Sequence, residues 1–121
     1  MFVMDKQVYL QPRGVVYDGM CDVMDTQRGR EIDNDPRQHI LHFVVRMFDR
    51  EWVIRFSTTG IDRSRCEAML EVKAEELDED DEEDVIRALA GYVLRREFAI
   101  LDAILKIGTP CEVTYIKEVV P

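Results

Sequence analysis

Only three cysteines are present, Cys21, Cys66 and Cys111, an odd number with no Cys-x-x-Cys spacing. A disulfide framework would leave one thiol unpaired, so a reducing compartment is expected. No stretch approaches the eighteen apolar residues of a membrane span, and Met1 to Lys6 lacks the basic and then apolar pattern of an export signal. A cytoplasmic protein is the expectation. Clustered basic residues are also scarce, the best being Arg28-Gly29-Arg30 and Arg95-Arg96, which argues against direct nucleic-acid binding. The sequence has no glycine-rich phosphate loop, no Gly-x-Ser-x-Gly elbow and no His-Glu-x-x-His zinc signature. No catalytic residue, metal ligand or cofactor is assigned, and an enzyme is disfavoured.

What is present is apolar residue in quantity. At 121 residues and 46% hydrophobic, the chain can bury the core of one domain, 1–121. Net charge is −9, yet nine of the ten residues from Glu75 to Asp84 are acidic. Removing those nine from 25 Asp and Glu leaves 16, which equals the 16 Lys and Arg. The acidity is therefore one local block.

The expected architecture is α+β: an antiparallel sheet of about four to six strands packed on one long C-terminal amphipathic helix, with a short helix and a final strand. Gln7 to Leu10 alternates and reads as a short strand. Val15 to Tyr17 and Met20 to Met24 read as strands around an Asp18-Gly19 turn. Residues 25–38 are polar, with Gly29, Asn34 and Pro36, and are expected to form a mobile loop.

Ile40 to Ser57 carries the clearest pattern. A hairpin centred on Asp49-Arg50 sets Met47 against Trp52, Val45 against Ile54 and Phe43 against Phe56, with Leu41 on the same face. Arg46, His42, Glu51, Arg55 and Ser57 fall on the other. A slip of one residue would bring Arg55 among the apolar set, so alternation restricts the register. Asp62 to Lys73 has Cys66, Met69, Leu70 and Lys73 at helical spacing and reads as the short helix. From Asp84 a helical pattern runs to Ile107, where Gly108 and Pro110 stop it, and Glu112 to Val120 reads as the last strand.

Trp52 to Phe56 leading into a helix, then Tyr92, Arg96 and Ile100 on a long helix and an aromatic terminal strand, resembles a small bacterial family of domains of unknown function. The resemblance implies a hairpin before a C-terminal helix and terminal strand; it implies no activity.

His39 and His42 with Cys66 do not converge as metal ligands, because a spacing of three along a strand turns the two imidazoles to opposite faces. Each cysteine is followed by an acidic residue, which raises a thiol pKa and makes it inert. The candidate partner-binding residues are Glu79, Asp80, Asp81, Glu82, Glu83 and Asp84. They serve either as a solvated helix start or as a mimic of a phosphate backbone that inhibits a basic nucleic-acid-binding protein. Contiguity favours the first. The expected function is a non-enzymatic interaction or regulatory domain, a homodimer or small oligomer formed through open edge strands and through Val85, Tyr92, Ala99 and Ala103 on the second side of the helix, with a small enzyme carrying a carboxylate site as the less favoured alternative.

One residue breaks its local pattern. Glu97 falls between Val93 and Leu101, within the apolar half of the long helix. An unpaired buried charge costs several kcal/mol, so Glu97 is expected to meet Arg46 or Arg55 from the hairpin, the alternatives being a bend that frees it to solvent or a small polar pocket between helix and sheet.

Overall fold

The computed structural model describes residues 2–105 and the backbone of 114–120. The chain order is β1 (Phe2–Tyr9), α1 (Arg13–Thr26), β2 (Arg30–Asp35), β3 (Ile40–Met47), β4 (Arg50–Asp62), β5 (Arg65–Ala74), α2 (Glu83–Leu105) and β6 (Thr114–Val120). The strands form one antiparallel sheet in the order β2-β3-β4-β5-β1-β6. Both helices pack on the same sheet face. The α+β expectation holds in outline, and five local readings change.

Strict alternation explains β5. Cys66, Ala68, Leu70 and Val72 are buried while Glu67, Met69 and Glu71 between them are only partly covered, so the stretch expected as a short helix is a strand of period two. The converse correction applies to Val15–Met24, where the expected hairpin is the helix α1. Its buried residues Val16, Met20, Val23 and Met24 recur at three and four, a helical stripe that outweighs the Asp18-Gly19 turn signal. Gly19 serves another purpose: a Cβ there would lie 2.8 Å from Leu105 Cδ2 and 3.1 Å from Leu101 Cδ1, so it lets α1 approach α2 closely.

Residues 25–38, expected as a mobile loop, contain edge strand β2. Its apolar burial is slight, and the strand is held by its ladder to β3, with an irregularity between Glu31 and Asp33. The first strand is also longer than expected, because Val3, Asp5, Gln7 and Tyr9 all point inward.

In the β3–β4 hairpin the expected faces are correct and the register moves by two. Val45 lies opposite Trp52, Phe43 opposite Ile54 and Leu41 opposite Phe56. A shift of two preserves each side chain's face. The physical reason lies in the turn: Phe48 and Asp49 adopt φ of 57° and 58°, the left-handed pair of a two-residue type I′ loop whose twist matches the strands. Trp52 Nε1 donates to Met47 O at 2.9 Å and fastens the end.

The long helix α2 buries Ile86, Ala90, Val93, Leu94, Glu97, Phe98, Leu101 and Leu105, one continuous stripe laid along the sheet. At 1.5 Å per residue it is about 34 Å long. The expected extension to Ile107, its stop at Gly108 and Pro110, and Cys111 lie outside the described residues. The last strand pairs with β1, Met4 opposite Glu118 and Gln7 opposite Tyr115.

Candidate functional site

The tip of the β3–β4 hairpin, the acidic segment and the N-terminal half of α2 meet at one corner. Glu75 N donates to Glu51 O at 3.0 Å, which carries the chain out of β5 beside the hairpin. Asp81 N then donates to Asp78 O at 3.0 Å, while Asp78 N donates to Asp81 Oδ2 at 2.8 Å, closing a turn before α2. Arg50 grips that turn. Its Nη2 and Nη1 donate to Asp81 Oδ1 and Oδ2 at 2.7 and 3.3 Å, a forked pair of the kind that fixes orientation as well as charge. The Arg50 guanidinium holds the Asp81 carboxyl below the usual range, helped by the Asp78 N–H.

The six candidate partner-binding residues thus divide. Glu79, Asp80, Glu82, Glu83 and Asp84 are exposed, with Glu83 and Asp84 in the first turn of α2, where carboxylates oppose the helix dipole. Glu83 also accepts from Arg87 Nη2 at 3.3 Å. Asp81 is committed inward. An open cleft of about 400 Å³ lies alongside, lined by Arg46, Asp49, Arg50, Glu51, Glu75, Glu76 and Asp78. The neighbouring carboxyl of Glu51 raises the Glu75 pKa, and Arg30 Nη2 stands 3.7 and 3.6 Å from the two carboxylates.

Apolar side chains share this corner. Phe48, at the hairpin tip, meets Tyr92 of α2 edge-on, with ring centroids 5.4 Å apart and planes at 70°. They remain 44% and 53% exposed, and Val85, two helical turns before Tyr92, is 49% exposed. Ala99 and Ala103 continue the line in solvent.

Inside, Glu97 is fully buried and meets neither expected arginine. Its Oε1 accepts from Gln27 Nε2 at 2.5 Å, and its Oε2 has no partner. Arg55 instead lies 3.9 Å from Glu71, and Arg46 lines the outer cleft. The reason for the correction is the face: both arginines point away from the helices, as the hairpin alternation requires. Burial pushes the Glu97 carboxyl up to about 7, against smaller lowering effects of Gln27 and Arg96. A strand pattern over Val15–Met24 gives Gln27 no signal; as the residue that ends helix α1 beside α2 it is well placed.

A second polar group lies toward the other end of α2. The Tyr9 hydroxyl is 2.5 Å from Gln7 Oε1 and 2.7 Å from Asp102 Oδ1, so one proton serves two acceptors. Near the start of α1, Arg13 Nε donates to His39 Nδ1 at 2.6 Å and Nη2 to Gln38 O at 3.0 Å, and the His39 ring lies against Tyr17. Tyr17 in turn donates to Asn34 Oδ1. Burial pushes the Tyr17 hydroxyl up to about 12 and the Cys66 thiol up to about 11. Burial is also the largest cause raising Cys21. The expected direction for these thiols is correct, but at Cys66 the adjacent acid contributes nothing.

His39 and His42 are not brought together with Cys66, which lies on the inner sheet face while His39 holds Arg13 in the β2–β3 turn. Among the described residues no group of three or more His, Cys, Asp or Glu is arranged to hold a metal ion, and no helix is long and apolar enough to cross a membrane.

No protein-family model matches the sequence, and no curated protein matches it. Similar solved structures include the Zhui aromatase/cyclase from Streptomyces sp. R1128, 13% identical with a TM-score of 0.61 over 88% of this chain and 92% of that one. The di-domain ARO/CYC BexL from the BE-7585A biosynthetic pathway is 14% identical, with a TM-score of 0.66 over 91% of this chain and 48% of its own. The di-domain ARO/CYC StfQ from the steffimycin biosynthetic pathway is 10% identical, with a TM-score of 0.55 over 84% of this chain and 43% of its own. This chain spans about half of each di-domain protein. At these identities the likeness is one of fold, a sheet gripping a long helix, and carries no residue across.

Proposed function

We propose that this chain is a non-enzymatic interaction domain that pairs with a second copy of itself along the outer line of α2. The observation that supports this is the Phe48–Tyr92 aromatic pair, standing half in solvent in continuity with Val85. Aromatic anchors of this kind concentrate binding energy once water is excluded. An antiparallel two-fold through Tyr92 sets Val85 opposite Ala99, because each is seven residues away, and the small alanines allow close helix approach. Sheet-edge pairing, the other half of the dimer expectation, is weaker. Edge strand β2 carries Arg30, Glu31, Asp33 and Asp35 and a local register shift, devices that discourage edge addition.

Mimicry of a nucleic acid requires carboxylates spread over a face. Here the exposed carboxylates of the acidic block occupy one loop and one helical turn, and Asp81 is withdrawn by Arg50. Sedimentation between about 1 and 500 µM tests the reading. The parent is expected to self-associate with rising concentration and Tyr92→Glu to stay monomeric; a parent that remains monomeric throughout overturns it.

A further inference from the structure

Three positions cross the inner sheet face in one row. Thr58 of β4 pairs with Ala68 of β5, and Ala68 pairs with Gln7 of β1. Thr58 and Gln7 are 4% and 1% exposed, yet Thr58 Oγ1 and Gln7 Nε2 have no hydrogen-bond partner. Unpaired buried polar groups are costly, and each one calls for an explanation. Two strand spacings put their backbones roughly 10 Å apart, too far for a direct bond. On the sheet row between them stands only Ala68, and the next row is Tyr9, Cys66 and Gly60, with Arg13 Cδ 3.5 Å from where a Cβ on Gly60 would stand. The floor is low where the flanking groups lack partners.

The surroundings are selective. Gln7 Oε1 is already engaged by Tyr9, which leaves its NH2 as a donor. Thr58 presents a hydroxyl that can donate or accept. Both are uncharged, while Cys66 and Ala68 offer apolar contact and are fully buried. Gln11, whose Nε2 donates to Leu105 O at 3.3 Å, brings a third buried unpartnered atom, Oε1, to the same end of the domain.

We infer that Gln7 and Thr58 form an internal binding site above Ala68 for a small uncharged organic molecule bearing a hydroxyl or carbonyl oxygen. The oxygen accepts from the Gln7 NH2, a hydroxyl donates to Thr58 Oγ1, and the apolar part rests on Ala68 and Cys66. The polar atoms it meets, on Gln7 and Thr58, are uncharged, and a wholly apolar molecule leaves both unsatisfied. The inference is independent of self-association, which uses the opposite side of α2.

Phenol and benzene, of nearly the same shape, test it on the full chain. Phenol is expected to shift the methyl resonances of Thr58 and Ala68 saturably, with benzene about tenfold weaker, the worth of roughly one good hydrogen bond. Read at the Ala68 methyl, Thr58→Val should weaken phenol severalfold, leaving only its bond from Gln7, and Thr58→Ser should retain it, which separates loss of the hydroxyl from loss of fold. Equal binding of phenol and benzene, no saturable shift with either, or unchanged phenol affinity in Thr58→Val overturns the inference. So does a crystal structure grown with phenol that shows only ordered water between Thr58 and Gln7.

Discussion

Gln27 Nε2 donates to Glu97 Oε1 at 2.5 Å, tying the end of α1 to the middle of α2 inside the core. The bond joins a neutral amide to a carboxyl and the Arg96 charge adds only a smaller effect, so the cost of charging Glu97 is only partly offset. Burial pushes its folded pKa up to about 7, above the ordinary glutamate value of 4.5. For a raised pKa, the favourable contribution is complete below the unfolded value and is lost as pH rises through the folded one. The difference corresponds to roughly 3 kcal/mol between about pH 4.5 and 7.

Glu97→Gln keeps the shape and removes the charge. At pH 8 it is expected to raise the urea midpoint, by about 1–3 kcal/mol in stability, and at pH 4.5 the two proteins should nearly coincide. This is the reverse of what an arginine partner would give. A mutant less stable than the parent at pH 8 would show that the charged carboxylate has a stabilising neighbour.

Asp81 behaves in the opposite sense. Its carboxyl is held low by Arg50, so its contribution is present above the unfolded pKa and lost as pH falls through the folded one. Asp81→Asn should lower the urea midpoint at pH 7, and the deficit should shrink in acid. Replacing Glu75, Glu76, Asp78 and Glu79 together by Ser should leave the midpoint near that of the parent, since these side chains lie in solvent and the two Asp78 bonds that close the turn use its backbone. If the fourfold change costs more than Asp81→Asn, the segment is held by its side chains rather than by the Arg50 grip.

The hairpin turn stores strain that glycine can relieve. Asp49 has φ of 58° and is exposed. Asp49→Gly supplies the residue that the second position of a type I′ turn favours, at the expense of unfolded-chain entropy. A gain of about 0.5–1 kcal/mol is expected, seen as a higher urea midpoint at constant m. No gain would indicate that Asp49 is stabilised in this conformation by an interaction of its side chain.

Much of the sheet and its partner helix was legible because burial repeats. The β3–β4 faces and the α2 stripe follow from apolar periods of 2 and 3.6 sustained over many residues. The two exchanged elements failed for a definable reason. In α1 the Asp18-Gly19 pair outweighed a helical stripe, and in β5 the adjacent Met69 and Leu70 hid the alternation of Cys66, Ala68, Leu70 and Val72. Glu97 was visible as a break in the apolar face, but its partner depends on how α1 crosses α2, and no local pattern carries that. The pairing of Thr58 and Gln7 across Ala68 was equally hidden, since 51 residues separate them.

The approach of α1 to α2 can be tested at its narrowest point. Gly19 faces Leu105 Cδ2 and Leu101 Cδ1 at 2.8 and 3.1 Å from where a Cβ would stand. Gly91, in α2, has only Arg95 Nη1 within 4 Å, at 3.5 Å. Both are helical glycines, so intrinsic propensity alone makes alanine better at each by about 1 kcal/mol. Packing separates them. Gly91→Ala is expected to stabilise by about 0.5–1 kcal/mol, because a surface methyl displaces nothing. Gly19→Val adds two methyls as well as the crowded Cβ, forcing Leu101 and Leu105 to move, and is expected to cost about 1–3 kcal/mol despite the gain in propensity. Urea denaturation of the two variants gives the comparison directly. Should Gly19→Val be as stable as the parent, α1 and α2 stand farther apart than this crossing requires, and the Gln27–Glu97 bond that depends on the same approach would have to lengthen with it.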